Sequence, residues 1–363
     1  MRRVLPPAQS GTPVSPDEAQ ALFRALLDDE ALLIAVSGGP DSMALLGLLA
    51  RWAPDAGACQ LFAATVDHGL RQGSAAEAAM VAQACAQLGI PHAILRWDGP
   101  KPVSGLQEAA REARYRLLAE EAARRGCRVI VTAHTQDDQA ETLLMRMAHG
   151  SGPGGLACMR RRSRRGALQI ARPLLDLPKH RLIATAQVLE LPFVTDPGNA
   201  DPRFERARWR RVMPVLAEVG LTAERLALLA RRMARLEAAI AQQAETLRAA
   251  LGAGAAEGVD ASALFAASEE VSLRVLGQLV TEVAGEAVPL RLERLEHCHA
   301  ALRAAAAEGA ALRRTLGGCV LSLDRAGRLF VRREGARRRG IHPATSKGAG
   351  GRALSLGNGL RRT

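Results

Sequence analysis

Six consecutive residues carry the most chemistry in this chain. Ser37-Gly38-Gly39-Pro40-Asp41-Ser42 joins an apolar run, Ala31 to Val36, to a helix-forming segment that begins at Met43. Two glycines let main chain approach a phosphate, amide N–H groups at a helix start favour negative charge, and Ser37 and Ser42 can each donate a hydrogen bond. Asp41 would repel a bare phosphate. A carboxylate in such a loop therefore implies a bridging divalent cation, and Mg²⁺, which takes oxygen ligands, fits best. The same hexamer would also make a sound turn with a helix cap; its place after a first buried strand is what favours the phosphate site. Neither GxxxxGK[ST] nor GxGxxG occupies that turn, so ordinary γ-phosphate chemistry and nicotinamide dinucleotide binding lose support.

A second group lies at His134, Asp137 and Asp138, where the apolar run Arg128 to Ala133 opens into a helix. The carboxylates Asp137 and Asp138 can share a metal ion with Asp41, Asp138 being the one expected and the choice between the two left open by the sequence. His134 can bind a phosphate or move a proton, because its unperturbed pKa lies nearest neutrality. Glu141 stands one helical turn further on and belongs on the same face, although it could equally begin a solvated surface. Arg111 and Arg114, three apart, are neighbours on one helix face and suit a phosphate or AMP.

These groups need a scaffold that brings strand ends together. Apolar runs at Ala31 to Val36, Leu61 to Val66, His92 to Trp97 and Arg128 to Ala133 alternate with helix-length segments, the rhythm of parallel βαβ units. The fold class expected is α/β, a doubly wound parallel sheet with its ligand crevice at the carboxyl ends of the strands, followed by a smaller, mostly helical C-terminal domain. Helix starts are expected at Ser15-Pro16-Asp17-Glu18, with that helix running to Asp29, and at the capping box Ser74-Ala75-Ala76-Glu77; a further helix begins near Pro178. Residues 160–165 read as loop, 221–250 and 269–307 as helical stretches, and Cys319 to Leu323 with Arg328 to Arg332 as a β-hairpin. The expected organisation is a disordered lead at 1–14, a catalytic domain at 15–218, a helical domain at 219–310, a hairpin segment at 311–334 and a basic disordered tail at 335–363.

The chain has 363 residues, 49 basic against 37 acidic, and a formal charge of +12, which suits a polyanionic partner. Only Lys101, Lys179 and Lys347 are lysines, an Arg excess that genomic base composition could produce without producing the net charge. Two basic clusters could meet RNA: Arg160 to Arg165, and Arg203, Arg206, Arg208, Arg210 and Arg211, where Arg203, Arg206 and Arg210 share a helix face. With one Tyr, three Trp and six Phe, extensive stacking on bases is not expected, and Phe204 and Trp209 are the nearby candidates. Six cysteines without a CxxC pair argue against a disulfide framework or a cysteine-rich metal site, and His297-Cys298-His299 points its side chains in different directions along a helix. No apolar run approaches the about 18 residues of a membrane span, so no membrane association and a cytoplasmic location are expected.

The hexamer SGGPDS resembles the pyrophosphate-binding loop of the N-type ATP pyrophosphatases, the PP-loop superfamily, which split ATP between the α and β phosphates. Further motifs are similar to those of the tRNA(Ile)-lysidine synthase family: Asp67-His68-Gly69-Leu70-Arg71, Arg111-Glu112-Ala113-Arg114-Tyr115, Ala133 to Thr142, Gly150-Ser151-Gly152 with Gly155-Leu156, and Asp196 with Asn199, Asp201, Phe204 and Arg206. They occur in the family's order over residues 30–214. The resemblance implies an adenine nucleotide alpha hydrolase-like fold, ATP and Mg²⁺ as cofactors, and an isoleucine tRNA with a CAU anticodon and free L-lysine as partners; it also leaves room for a homodimer. It assigns nucleotide binding to Ser37 to Ser42, Asp67, His68 and Arg111, and catalysis to Asp41, Arg114, His134, Asp137 and Asp138. Thr135, His149, Gly198 and Ala207 depart from frequent His, Arg, Ser and Asn. A thiolase of the same superfamily is the nearest alternative, disfavoured by the missing CxxC pair, and a non-catalytic nucleotide binder would not need Asp137 and Asp138 beside Asp41.

Overall fold

The computed structural model describes residues 11–57, 59–70, 73–102, 104–195, 201, 203–252, 254–285 and 290–335. They pack as two compact units that divide after Thr246. Asp196, Asn199, Gly198, Arg71 and most of the expected lead and tail lie outside the described residues.

The first unit opens with α1 (Pro16–Phe23), whose N-cap Ser15 accepts a hydrogen bond from the Glu18 amide as its sequence predicts. The helix stops short of Asp29, passing at Arg24–Leu26 into a single 3₁₀ turn. The sheet then builds through β1 (Ala31–Ala35), α2 (Pro40–Trp52), β2 (Gln60–Asp67), α3 (Ser74–Gln87), β3 (His92–Arg96), α4 (Leu106–Arg124), β4 (Val129–Val131), α5 (Gln136–Ala148) and the short α6 (Pro153–Leu156). A hairpin follows, β5 (Arg162–Arg165) and β6 (Leu168–Ala171), and then α7 (Lys179–Val188), α8 (Glu205–Glu218) and α9 (Ala223–Leu251).

Strand order is β3-β2-β1-β4-β6-β5, parallel throughout except for the antiparallel edge strand β5. The chain lays β1, β2 and β3 outward in one direction and then returns to the other side of β1 with β4. The switch point therefore lies between β1 and β4, where a doubly wound sheet binds its ligand. Because β1 is central, both of its faces are buried. Leu32 and Ile34 pack with α1, α2, α3 and α7, while Leu33 packs with Tyr115, Leu118 and Ala122 of α4. A third cluster joins α5 to α8 and α9 through Leu143, Leu144, Trp209, Met213 and Leu226.

Three local expectations need correction. Arg162–Arg165 form β5 rather than loop; Gly166, at φ +58, turns the chain back onto β6, and an exposed edge strand accommodates charged side chains that a central strand would not. Ser74 does not cap α3: Gly73, at φ +101, is the N-cap, and the Ser74 hydroxyl hydrogen-bonds Asp67. The helical stretch at 269–307 is two helices, because Gly285 at φ +83 ends the first.

The second unit contains β7 (Val259–Asp260), α10 (Ala261–Ala266), α11 (Glu269–Ala284), α12 (Leu292–Ala307), β8 (Leu312–Leu316), β9 (Cys319–Leu323) and β10 (Arg328–Arg333). The expected hairpin is present as β9–β10, within an antiparallel sheet of order β7-β10-β9-β8. Its sheet buries Leu321, Leu329 and Val331, and its helices bury Leu264, Leu276 and Leu302. His299 is buried with Nε2 2.7 Å from Ser272 Oγ, and His297 Nδ1 lies 2.7 Å from its own helix carbonyl at Glu293. No described helix is long and apolar enough to cross a membrane.

Candidate nucleotide site

The loop after β1 turns directly into α2, with Gly39 as N-cap and Pro40 in the first turn, where a missing N–H costs nothing. Gly38 sits at φ +81 with room for no more than van der Waals contact, since a Cβ there would lie 3.4 Å from Val81 Cγ2. Ser42 Oγ accepts from the Ser37 amide at 3.1 Å and donates to the Gly39 carbonyl at 3.0 Å. Its distance of 3.2 Å to Ser37 Oγ then leaves Ser37 as the donor in that pair. Both hydroxyls thus brace the loop, and the main-chain amides are the groups it presents.

Asp41 projects from the first turn of α2. Lys179 Nζ donates to its Oδ2 at 2.6 Å, while Oδ1 is buried with no hydrogen-bond partner among the described residues. Burial raises the Asp41 pKa; Lys179 opposes this, and the charges of Asp138 and Asp137 add to it. An orphaned carboxylate oxygen at a helix N-terminus suits a bound cation, because leaving it unmatched costs free energy.

The loop after β4 faces this one across the switch point. Thr135 caps α5: its amide and hydroxyl donate to Asp138 Oδ2 at 2.9 and 3.0 Å, and Asp138 N donates back to Thr135 Oγ1 at 3.4 Å. That capping box fixes one Asp138 oxygen. The other, Oδ1, faces Arg206 at 3.7 Å and Arg210 at 3.9 Å. Burial works against charge on Asp138, yet His134, the Thr135 donors and Arg206 outweigh it and hold the pKa below the usual range. Asp137 Oδ2 accepts the Lys179 amide at 2.8 Å, and its charge still acts on Asp41. Glu141 is buried one turn on, gripped by Arg210 through Nε at 2.6 Å and Nη2 at 3.1 Å; burial nevertheless raises its pKa.

The opposite wall is cationic. His134 Nδ1 lies 2.8 Å from Thr132 Oγ1, and burial drives its pKa down, helped by the charges of Arg172, Arg206 and Arg111 against that of Asp138. Arg114 is exposed to the crevice side, with Nη2 3.4 Å from His68 Nε2. His68 is pushed to about 4, first by burial and then by Arg114 and Lys101. Asp67 accepts the Gly69 amide at 2.9 Å, which with Ser74 lowers its pKa. Arg172, directly after β6, donates to the Arg160 carbonyl at 3.0 Å and to Ser163 Oγ at 2.9 Å, and its Nε is buried with no partner among the described residues.

The fold thus brings together the residues expected at the site: the 37–42 loop, His134, Asp137, Asp138, Glu141, Arg111 and Arg114. Of the second arginine cluster, Arg206 and Arg210 enter the crevice. Arg203 precedes α8 instead of sharing its face and bonds Asp201 at 2.6 Å, and Arg208 donates to the Arg203 carbonyl at 3.3 Å. Arg211 acts on Asp201 through its charge. Lys179 and Arg172 were not singled out by motif. A signal for Lys179 existed in composition, since an Arg-dominated chain that keeps only three lysines must place them for some reason.

The family model for the PP-loop domain matches residues 14–216. The tRNA(Ile)-lysidine synthase of Methylobacterium nodulans is 52% identical over 315 residues, covering 85% of this chain and 92% of the relative; that of Methylobacterium sp. strain 4-46 is 49% identical, covering 92% and 98%. Among solved structures, the U34-tRNA thiolase NcsA from Methanococcus maripaludis aligns with a TM-score of 0.52 at 18% identity, covering 61% of this chain and 77% of that one, a likeness of fold alone. The loop on α2, the carboxylates on α5 and these relatives agree: the chain belongs to the tRNA(Ile)-lysidine synthase family, with a PP-loop domain over residues 14–216.

Proposed function

We propose that the protein uses ATP to adenylate the C2 oxygen of the wobble cytidine in an isoleucine tRNA with a CAU anticodon, releasing pyrophosphate, and that free L-lysine then displaces AMP to leave lysidine. The observation that carries this reading is the convergence of the amide-lined loop on α2 with Asp41 Oδ1, buried and unpartnered, and Asp138 Oδ1 across the switch point. Two carboxylate oxygens of this kind fit Mg²⁺, which keeps most of its shell for water and phosphate and so needs few protein ligands. When bound there, Mg²⁺ would offset the charge that develops on the leaving pyrophosphate.

The chain's own groups do the rest. Amides of Gly38, Gly39, Asp41 and Ser42 at the α2 N-terminus hold the phosphates in line for attack. Arg111, Arg114, Arg172 and Arg206 surround the position beside His134 and stabilise an anionic phosphoryl group or an RNA phosphate. Kept neutral by burial, His134 can share a proton through Nε2 while Thr132 fixes its ring. Arg203, just before α8, and Arg208 and Arg211 on it take tRNA phosphates, and residues 219–310 grip the rest of the tRNA. A homodimer is part of this reading, and light scattering at working concentration tests it.

Purified protein with α-labelled ATP, Mg²⁺, lysine and the CAU isoleucine tRNA should give AMP and lysine-modified RNA together. AMP without lysine incorporation would keep the ATP chemistry and overturn the substrate; no AMP would overturn both.

A further inference from the structure

Lys179 holds two parts of the site at once. It is the first residue of α7; its amide donates to Asp137 Oδ2 at 2.8 Å and its Nζ to Asp41 Oδ2 at 2.6 Å, so it ties together the first turns of α2, α5 and α7. Its main chain is firmly placed, because Leu182 and Ala186 of α7 are fully buried in the core shared with α2. Its side chain is freer: it is 44% exposed, against 18% for Asp41, so the ammonium reaches Asp41 from the open side of the crevice. Asp41 meanwhile keeps its second oxygen buried and unmatched.

A divalent cation on Asp41 and an ammonium on the same carboxylate would repel each other at hydrogen-bonding range. The four-carbon stem of lysine can swing while its amide stays on Asp137, and a triphosphate lying on the α2 amides is the nearest alternative anion. Resting on the ATP reading of this site, we propose that Lys179 alternates between two anions: it neutralises Asp41 before the metal–nucleotide complex binds, and it moves to the phosphates of ATP once a divalent cation takes Asp41. Lys179 is then both a competitor of the free metal ion and a ligand of the metal-bound nucleotide.

Those two roles have opposite signs, which makes them separable from simple bracing. In the full-length protein, Lys179→Met should bind Mn²⁺ alone about tenfold more tightly and the Mg²⁺ complex of α,β-methylene-ATP about tenfold more weakly, with Lys179→Arg recovering most of the nucleotide affinity; one charge-assisted contact is of that size. Affinities that both stay at wild-type values, or that move in the same direction, overturn the proposal. Should Lys179→Met fail to fold, the wild-type protein serves. With Lys101 as internal reference, acylation of Lys179 followed by mass spectrometry should rise on adding Mn²⁺ alone and fall on adding the Mg²⁺–analogue complex. Labelling that ignores Mn²⁺ overturns the exchange. If the wild-type protein binds no Mg²⁺–analogue complex at all, the ATP reading fails, and this inference with it.

Discussion

Two arginine-rich segments look alike in sequence and do different work in the structure. Around β5, Arg162 pairs with Asp29 and the Ala25 carbonyl, Arg165 with Glu112 while lying 4.6 Å over the Tyr115 ring, and Arg161 with Asp176. On α8, Arg206 and Arg210 reach instead into the crevice and meet Asp138 and Glu141. The extremes differ in the burial of the carboxylate opposite, since Glu112 is well exposed and the Glu141 side chain is 5% exposed, whereas Asp29 and Asp138 are alike at 17%. Ion pairs of the first kind are worth little, and those of the second leave a costly unmatched charge when one partner is lost. A run of arginines reaches the crevice by standing across from the carboxyl end of a strand, and charge density alone does not say which run does.

The largest effect that comparison implies belongs to the crevice. Asp41→Asn keeps the shape of the α2 turn but removes the charge that pairs with Lys179 and that a divalent cation would need, so AMP formation should fall by roughly 10³-fold with little loss of secondary structure. Single-turnover release of labelled AMP measures it. A variant retaining a tenth of the activity would move the essential carboxylate to Asp138.

Next comes Glu141→Ala, which strands Arg210. Because the Arg210 side chain is 36% exposed and can turn to water, the stability cost should be about 2 kcal/mol rather than the larger loss of a fully buried pair. Urea unfolding reads the cost, and the Arg210→Ala, Glu141→Ala double variant should recover part of it. Additive losses would show that the two residues do not act as a pair.

Much of this site was legible in the sequence, and its physical basis is locality. The 37–42 loop, the capping position before α5 and the spacing of Asp137, Asp138 and Glu141 are fixed within one or two turns of chain, so residue order suffices to place them. Lys179 was not legible, because its partners Asp41 and Asp137 lie 138 and 42 residues away, and only the packing of α7 on α2 brings them near. Arg172 depends in the same way on the strand order that puts β6 beside β4. The β5 edge is not legible because its residues, Arg-Ser-Arg-Arg, carry no apolar alternation to announce a strand.

The cationic wall makes a pH prediction. Burial depresses the folded-state pKa of both His68, to about 4, and His134 below the unfolded value of 6.5, so between those limits the unfolded chain binds more protons. Their contribution is therefore complete above pH 6.5 and lost as the pH falls toward 4. Denaturant midpoints should drop across that window, and His68→Gln should flatten the drop. An unchanged slope in that variant would mean that His68 is hydrated and titrates normally.

The smallest effect belongs to the scaffold arginines. Arg162→Ala removes a pair with Asp29 that is partly exposed on both sides, so stability should fall by only about 1 kcal/mol and the rate of AMP formation should not change. Arg206→Ala, from the other cluster, should lower AMP formation by about tenfold or more, because it unbalances Asp138 and removes one charge from beside His134. Measured side by side, the two substitutions delete the same side chain opposite carboxylates of like exposure, so a difference between them reports where the arginine stands. If Arg162→Ala slowed AMP formation as much as Arg206→Ala, the β5 edge would have to lie on the path of the substrate, and the separation between the two clusters would fail.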